Sequence, residues 1–371
     1  MSTKTGIASQ LSRLSVGAQV SFDALRDLGA DILVAAGLSS EDAKASADVL
    51  AHAQLSGVDT HGFCHLAVYV RRLLEGSIAV NPRIVVTKRA PVAAVMDGGN
   101  GLGALVAQKA MAEAIDTAAA FGIGACAVRN SSHFGAANFY VEQATRAGMI
   151  GLVFSNAAPS MAPWGGREAI LGTNPIAFGF PRANAYPIVV DMATSAVARS
   201  RLRKAANAAA PIPPFWALDR AGEPTTDSRA ALDGTIQPVG GAKGYALSLA
   251  VELLCVALSG GRPGFEVRNP HDKAPEPCGT SHLFIALAPN CFAGNDVAAD
   301  SIEAVVRRIE QSEPRCDEKP RLPGQRGAQD RASRSKRGIP VTHDLLESLR
   351  KAAELVDSAF PPQVRNDCHS N

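Results

Sequence analysis

The glycine-rich stretch DGGNGLGAL, residues 97–105, constrains the fold of this chain more than any other feature. Gly99, Gly101 and Ala104 have the G-x-G-x-x-A spacing of a dinucleotide-binding loop, and the stretch lies between a predicted strand and a predicted helix. A loop of this kind binds pyrophosphate at a helix N-terminus and belongs to a doubly wound parallel sheet. The stretch therefore offers a choice between a Rossmann fold and a tight turn into a helix.

Two neighbouring features favour the tight turn. The next predicted strand, residues 123–128, ends in Arg129 and Asn130, where a Rossmann fold places a carboxylate for the ribose hydroxyls. The strand before the glycines is only weakly apolar, and we expect it to be antiparallel to its neighbours. The sequence therefore predicts a fold without a Rossmann loop.

The composition describes a protein with an aliphatic core. Hydrophobic residues make up 46% of the 371 residues and aromatic residues only 5%, and this length allows two domains or one domain with a large insertion. A net charge of +2 gives no reason to expect nucleic acid or a membrane surface as a partner. The N-terminus lacks the apolar core of a signal peptide, and the seven cysteines form no C-x-x-C pair, so we expect a cytoplasmic location.

Hydrophobic periodicity predicts a mixture of helices and strands. Helices are predicted over residues 23–55 (with Ser39 as an internal N-cap), 67–74, 101–121, 138–147, 193–210, 298–310 and 344–360. Strands are predicted over residues 83–87, 92–96, 123–128, 150–155 and 283–288, with further strands and loops between 159 and 191.

Three other segments are interpreted from their composition. Residues 245–258 are the most apolar stretch and predict a buried helix that is too short to cross a bilayer. Residues 211–233 are interpreted as a loop. The charged residues 312–338 are interpreted as a surface loop or a partly disordered segment.

Three short clusters combine titratable side chains with apolar surroundings. They contain His61 after Asp59 and Thr60, His133 at a turn between a predicted strand and a predicted helix, and Asp191 at the end of a predicted strand. Such turns expose side chains to a cleft, and the amides of a helix N-terminus favour anionic ligands. The alternative is that the histidines are structural and that Asp191 only caps a helix.

A metal site is a further alternative for the first cluster. His61 and His65 lie four residues apart and could bind zinc from one helix face. However, Gly62 and Phe63 stand where the H-E-x-x-H motif needs its general base, and a third ligand would have to come from a distant segment. We therefore predict no metal site, and a zinc hydrolase is the third hypothesis. Composition and spacing alone indicate an α/β enzyme with a small-molecule cleft.

Five longer motifs occur in order along the chain. They are SGVDTHGFCHLAVYVRRLLEGSI, VRNSSHFGAANFYVEQATRAGMIGLVFSNAAPSMAPWGG, LGTNPIAFGFP, VVDMATSAVAR and GGAKGYALSLAVELL. Through them the chain resembles, from about residue 23 to residue 361, the malate/L-lactate dehydrogenase family of NAD(P)-dependent oxidoreductases. This family is unrelated to the Rossmann-type lactate and malate dehydrogenases and includes ureidoglycolate, sulfolactate, diketogulonate and piperideine-2-carboxylate enzymes.

The resemblance implies an α/β (α+β) fold of the non-Rossmann kind. A cofactor domain with a mainly antiparallel sheet, residues 121–289, would be inserted into a mostly helical substrate and dimerisation domain, residues 23–120 and 290–371, after an N-terminal extension, residues 1–22. It also implies a homodimer whose active site lies between the domains.

The resemblance further implies a hydride transfer between NAD or NADP and C2 of a small 2-hydroxy or 2-oxo acid, or of a related cyclic imine acid. A histidine would exchange the proton, which suits its pKa. We favour His61, hydrogen-bonded by Thr60, as the proton donor and His133 as the residue facing the nicotinamide and the substrate, although the reverse assignment remains open. The alternative function is a non-catalytic ligand- or nucleotide-binding paralogue.

The same resemblance assigns binding residues. The substrate would contact His65 and Ser132, and the cofactor would contact His133, Gly135, Thr173, Asn174, Asp191, Met192, Ala193, Lys243 and Gly244. At His65 the sequence departs from the family, which usually has an arginine that grips the substrate carboxylate. A histidine would be a weaker and pH-dependent partner. The basic run RASRSKR, residues 331–337, could meet a 2′-phosphate or could be a solvated surface.

Overall fold

The computed structural model describes residues 2–273, 275–316 and 318–359. The first half of the chain forms α1 Ser2–Ser12, β1 Gln19–Val20, α2 Phe22–Ala35, α3 Ser40–Leu55, α4 Leu66–Leu74, β2 Val85–Ala90, β3 Ala93–Asp97, α5 Gly103–Phe121, β4 Ile123–Ser131, α6 Asn138–Arg146, β5 Ile150–Ser155 and β6 Ile176–Phe180. The second half forms β7 Ile188–Met192, α7 Arg199–Asn207, β8 Ala217–Leu218, α8 Ser228–Asp233, β9 Thr235–Ile236, α9 Ala242–Ser259, β10 Thr280–Leu287, α10 Asn295–Glu310, α11 Gln325–Arg337, β11 Ile339–Pro340 and α12 His343–Ala359.

A seven-stranded sheet in the order β2-β3-β4-β10-β5-β6-β7 forms the centre of the molecule. Its neighbouring strands are antiparallel except β3 and β4, so the predicted mainly antiparallel sheet is confirmed. The expectation for β3 was only half right, because β3 is antiparallel to β2 but parallel to β4. The long helix α5 explains the difference, since it carries the chain back to the starting edge between these two strands.

The glycine-rich stretch is a packed turn between β3 and α5. The amides of Gly98 and Asn100 donate to the carbonyl oxygens of Arg129 and Asn130, both at 2.9 Å, and the amide of Gly103 donates to the Ser132 hydroxyl at 2.8 Å. These donors therefore hold the end of β4 and are not free for a pyrophosphate. The interpretation of the glycines as a tight turn is confirmed.

One continuous hydrophobic cluster joins the helices to one face of the sheet. Its fully buried members include Leu50 of α3, Val106 of α5, Tyr140 of α6 and Phe284 of β10. Since burying each such side chain contributes about 1.5–3 kcal/mol, the cluster fixes α3, α5 and α6 against the strand that leads to His133. A second, smaller cluster joins α7, α8 and β9 to the loop between β5 and β6.

Most predicted elements match the structure to within a few residues, and Ser39 caps α3 by accepting from the Asp42 amide at 3.1 Å. The helix predicted over 193–210 is wrong in its first turns, because α7 starts only at Arg199. In the segment before α7, Ser195 forms an isolated β-bridge with Pro238. The Thr194 amide donates to the Thr173 carbonyl oxygen at 3.0 Å, and the Thr194 carbonyl oxygen accepts from the Val239 amide at 2.9 Å. Residues 211–233, predicted as a loop, contain β8 and α8.

Helix α9 is longer and more exposed than predicted. It runs for 18 residues, and by length and apolar composition alone it could cross a bilayer. Leu247, Leu253 and Leu258 are each about half exposed (47%, 54% and 49%), so the prediction of a buried helix is wrong for this face. The opposite face is anchored by buried Glu252, which accepts from the Gly264 amide at 2.6 Å.

Helix α11 replaces the predicted surface loop. It lies within residues 312–338, and its buried residues are Ala328 and Arg331. Because polar contacts rather than an apolar stripe hold this helix, hydrophobic periodicity did not reveal it.

The predicted division into domains stays a prediction. The first two strands of the seven-stranded sheet, β2 and β3, lie within residues 23–120, which were assigned to the helical domain. Residues 360–371 of the predicted second segment, including the last residue of the helix predicted over 344–360, lie outside the described residues.

Candidate active site

Two successive 3-10 turns, Asp59–His61 and Phe63–His65, follow α3 directly. They can pack tightly against α3 because Gly62 has no side chain: a Cβ there would lie 2.5 Å from the Gln54 Oε1 atom. The two turns leave His61 and His65 half-buried at the surface of the helical layer.

The predicted acid–base residues do come together. Thr60 Oγ1 lies 3.0 Å from His61 Nδ1, and the His61 ring stacks on the His133 ring with 5.9 Å between centroids and 19° between planes. Gly135 makes this approach possible, because its φ of +80° suits glycine and a Cβ would lie 2.9 Å from Val49. The chain after β4 can therefore pass close to α3 and bring His133 to His61.

Tyr69 of α4 is a site residue that sequence reasoning missed. Its hydroxyl lies 2.6 Å from His133 Nδ1, and its side chain is only 1% exposed. Burial raises the pKa of Tyr69 well above its usual value, so the hydroxyl keeps its proton. With no other acceptor for that proton among the described residues, Tyr69 donates to Nδ1, and a neutral His133 carries its proton on Nε2. The sequence feature that could have pointed to Tyr69 is its spacing, because His61, His65 and Tyr69 follow one another at intervals of four residues.

His65 is held in one neutral form. Its Nε2 atom lies 3.0 Å from the Thr60 carbonyl oxygen, which can only accept, so Nε2 carries the proton. Burial, followed by the charges of His61 and His271, lowers the pKa of His65 to about 3. In the free protein His65 is therefore neutral at neutral pH, and its part in binding the substrate carboxylate stays a prediction. The Nδ1 atom of His65 is buried without a hydrogen-bond partner among the described residues.

The histidine cluster, His61, His65, His133 and His271, consists of neutral imidazoles. The ring of His65 lies 4.4 Å from that of His133 and 5.6 Å from that of His271, centroid to centroid. Burial is the main cause that lowers the pKa of His61 and His271, and it places the pKa of His133 well below its usual value. The cluster therefore holds no permanent positive charge in the free protein.

The predicted cofactor residues converge around Thr194. The backbone of Thr194 binds Thr173 on one side and Val239, in the loop before α9, on the other. This brings three segments together, namely Thr173–Asn174, Asp191–Met192–Ala193 at the end of β7, and Lys243–Gly244 at the start of α9.

Asn174 has a structural role within this group. Its side chain is fully buried and donates to the Ser248 carbonyl at 3.1 Å and to Glu252 Oε2 at 3.0 Å, while it accepts from the Ala157 amide at 3.1 Å. Gly244 allows close packing, because a Cβ there would lie 1.9 Å from the Val239 carbonyl oxygen.

Among the segments that meet at Thr194, Asp191 and Lys243 have charged side chains that are accessible to a ligand. Asp191 is accessible to solvent, yet the surrounding atoms raise the pKa of its carboxyl to about 6. It accepts from the amide of Asn138 at 2.9 Å, five residues after His133, and so connects this cluster to the histidine cluster. Lys243 is exposed at the first turn of α9, with no hydrogen bond or ion pair to any described residue. A cation at a helix N-terminus fits a phosphate group.

Ser132 is buried, and its hydroxyl donates to the Gly101 carbonyl at 3.2 Å besides accepting from Gly103. These contacts engage it in the turn before α5, and its part in substrate binding stays a prediction. Within the described ranges, no group of three or more His, Cys, Asp or Glu residues is arranged to hold a metal ion.

The structure therefore presents paired neutral imidazoles, each beside a hydroxyl, next to a cluster that can bind an anion. This arrangement, on a mainly antiparallel sheet, is chemically suited to proton transfer beside a phosphate-bearing ligand. Comparisons with known proteins identify the family of the chain. A model of the malate/L-lactate dehydrogenase family matches residues 20–350.

Curated relatives agree with the family match. The L-sulfolactate dehydrogenase of Methanocaldococcus jannaschii is 39% identical over 86% of this chain and 92% of its own length. The (2R)-3-sulfolactate dehydrogenase (NADP(+)) of Chromohalobacter salexigens is 36% identical over 86% of this chain and 94% of its own. Among solved structures, the Δ1-piperideine-2-carboxylate reductase of Pseudomonas syringae pvar. tomato superimposes with a TM-score of 0.82 and 35% identity over 90% of this chain and 99% of its own.

The chain belongs to the malate/L-lactate dehydrogenase family. The predicted enzyme class, an NAD(P)-dependent 2-hydroxyacid dehydrogenase, is thereby confirmed.

Proposed function

We propose that the enzyme transfers a hydride between NAD(P) and C2 of a small 2-hydroxy or 2-oxo acid, of the malate, lactate or sulfolactate type, with His61 as the acid–base residue. The observation that carries this assignment is the difference between the hydroxyl partners of the two stacked histidines. Thr60 is exposed and can accept from His61 Nδ1, whereas buried Tyr69 donates to His133 Nδ1.

These partners give the two histidines different roles. With Nδ1–H donating to Thr60, neutral His61 has a lone pair on Nε2 and can take the proton of a substrate hydroxyl. His133 presents Nε2–H and can only donate a hydrogen bond to the substrate oxygen. A bound nicotinamide supplies or accepts the hydride at C2. In the reductive direction, protonated His61 returns the proton from Nε2 to the same oxygen.

Arg203 of α7 is part of the proposal, as the group that binds the substrate carboxylate. Neutral His65 provides no charge, and Arg71 and Arg72 donate to the carbonyl oxygens of Pro270 and Glu276, at 3.1 and 2.6 Å. Arg203 has no hydrogen bond or ion pair with any residue of the described ranges. Its positive charge lowers the pKa of both His65 and His271, which supports this assignment.

Replacing Arg203 by glutamine should therefore raise the KM for the acid by about tenfold to 10²-fold, the value of a lost charge-assisted hydrogen bond, with little effect on the KM for the cofactor. Arg201 of the same helix, which stacks on Trp216 at 5.7 Å, provides the matched control Arg201→Gln. Steady-state kinetics of both variants test the assignment of Arg203. An equal KM for the acid in Arg203→Gln and Arg201→Gln would remove Arg203 from the substrate site.

The cofactor belongs to the same proposal and can be NAD or NADP. Asp191, Met192 and Lys243 provide open side chains at the cluster around Thr194, with Lys243 as the partner of a phosphate or ribose. The basic run 331–337 is a poor candidate for a 2′-phosphate site, because Arg331 and Arg334 are paired with Glu142 and Asp59.

A homodimer is also proposed, with the exposed face of α9 as its interface. This face repeats apolar residues at alternating spacings of three and four without a charge, namely Ala246, Leu247, Ala250, Leu253, Leu254, Ala257 and Leu258. Such a seam can pack against the same seam of a second copy about a twofold axis.

Light scattering should accordingly give twice the mass of the chain, and Leu253→Glu should give a folded monomer, because the new charge would be buried in the interface. A monomeric native chain, or one that binds lipid vesicles through this face, would contradict the dimer. A cytoplasmic location goes with this proposal, and cell fractionation tests it.

A panel of 2-oxo acids and cyclic imine acids with NADH and NADPH tests the proposed function. We expect oxidation of one reduced cofactor with at least one acid, and a higher cofactor KM in Lys243→Ala. Binding of the cofactor without turnover of any acid would instead support a non-catalytic paralogue.

A further inference from the structure

Helix α11 contacts the segment that leads into the His61 turn. The Arg334 Nη1 atom donates to the Gln54 carbonyl oxygen at 2.5 Å and to Asp59 Oδ1 at 3.2 Å. The Gln54 side chain, itself 3% exposed, donates to the same Asp59 oxygen at 2.8 Å. Asp59 is the residue before Thr60, so the carboxylate that Arg334 holds is only two residues from His61.

The approach of α11 to this segment is close. Gly57 has a φ of +72°, and a Cβ there would lie 2.4 Å from Asp330 Oδ2 of α11. The next residue of α11, Arg331, donates through its side chain to Ser56 Oγ at 3.1 Å. Three consecutive parts of the segment therefore meet α11, at Ser56, Gly57 and Asp59.

The other end of α11 is fixed to the cofactor side of the sheet. The carbonyl oxygen of Pro323 accepts from the amide of Val189 in β7 at 3.4 Å, and a Cβ on Gly324 would lie 3.0 Å from Val189. Val189 lies two residues before Asp191 on the same strand.

The middle of α11 is tied to the sheet side by a buried ion pair. Arg331 donates to Glu142 of α6 at 2.7 Å. Burial opposes ionisation of Glu142, but hydrogen bonding from His52 and the charge of Arg331 outweigh it and lower the pKa of Glu142. Helix α6 begins at Asn138, whose amide binds Asp191.

We propose that Arg334 is a positioning residue: through Asp59 and Gln54 it fixes the His61 turn to α11, a helix whose other end is anchored beside Asp191. The inference rests on the proposed function, since it assigns Arg334 to the geometry of the proposed acid–base residue. Arg334 does not touch the substrate; it acts by holding the backbone at residue 59 so that His61 keeps its distance to His133.

The alternative is that Arg334 only stabilises the fold. The solvent exposure of the Arg334–Asp59 ion pair distinguishes this role from the positioning role. The Asp59 side chain is 51% accessible and the Arg334 side chain 18% accessible, and an ion pair with one solvent-exposed partner contributes little to folding stability. Loss of the pair should therefore change the geometry of the turn more than it changes the melting temperature.

The test is Arg334→Gln, with Arg334→Lys as the conservative variant and Arg326→Gln as the matched control. Arg326 lies on the same helix, is exposed, and makes no hydrogen bond or ion pair with the described residues of the His61 turn. We expect Arg334→Gln to lower kcat about tenfold or more, as a small misplacement of a reacting group does, while the cofactor KM and the melting temperature change little. Arg334→Lys should recover part of the loss, and Asp59→Asn should add little to Arg334→Gln because the two share one interaction.

A second readout does not depend on turnover. The NMR titration of the His61 imidazole should shift in Arg334→Gln and stay unchanged in Arg326→Gln, with exposed His343 as the internal reference. An unchanged His61 titration together with an unchanged kcat would overturn the proposal, as would an equal effect of Arg326→Gln. If the wild-type protein reduced no acid, the proposed function would fail while the NMR titration still decided the role of Arg334.

Discussion

His61→Gln should lower turnover by about 10² or more in both directions, because the glutamine amide can neither take up nor release a proton at the substrate oxygen. The side chain of His61 contributes one hydrogen bond to Thr60 and stacks on His133, so we expect the fold to survive the change. Turnover at saturating substrate and cofactor measures the effect, and the melting temperature controls for folding. Full activity would place the proton transfer elsewhere.

The pH dependence of the wild type follows from the same residue. Burial lowers the pKa of His61, so its neutral form prevails above the lowered pKa and the protonated form appears only as the pH falls. Oxidation of the hydroxy acid, which needs the neutral form, should keep its full rate further into acid than an unperturbed histidine would allow, and decline only below that. Reduction of the oxo acid, which needs the protonated form, should decline as the pH rises. Profiles of kcat/KM in both directions that rose and fell together would contradict this assignment.

His133→Asn should also lower turnover by about 10² or more, the cost of losing a positioned hydrogen-bond donor to the reacting oxygen, but His133→Gln should retain more activity than His133→Asn. The amide nitrogen of glutamine reaches the position of Nε2, and that of asparagine the position of Nδ1. Since the proposal requires His133 only as a donor through Nε2–H, glutamine can replace it in part. Comparing kcat for the Gln and Asn variants at His61 and at His133 checks this difference. Equal losses in the two His133 variants would assign proton transfer to His133.

Hydrophobic periodicity predicted the elements that bury an apolar face. Helix α3, its cap at Ser39 and strand β5 are examples, and in each the buried residues recur with the period of the element. The same reasoning misjudged α9 and α11 for opposite reasons. Helix α9 is apolar on a face that this single chain leaves exposed, and α11 is held by arginines whose partners lie far away in the sequence.

The site was predictable where the family motifs name its residues, and less so where contacts between distant segments decide. His61 and His133 were predicted from those motifs, and the structure stacks their rings, while their catalytic roles stay a prediction. The neutral state of His65 depends on burial and on the Thr60 carbonyl, neither of which is visible in the sequence. Tyr69 carries no motif of its own, and only the folded chain shows its hydroxyl beside His133. Arg203 carries none either, and its assignment rests on the effect of its charge on the pKa of His65 and His271.

The transfer of deuterium from a reduced nicotinamide labelled at C4 tests the central claim most directly. With an accepted 2-oxo acid, the account predicts one deuterium at C2 of the hydroxy acid product, detected by NMR or mass spectrometry. In His61→Gln the label should appear at the same carbon, only more slowly, because this residue handles the proton and not the hydride. A product without the label at C2, or cofactor oxidation that leaves the acid unchanged, would contradict hydride transfer to a 2-oxo acid.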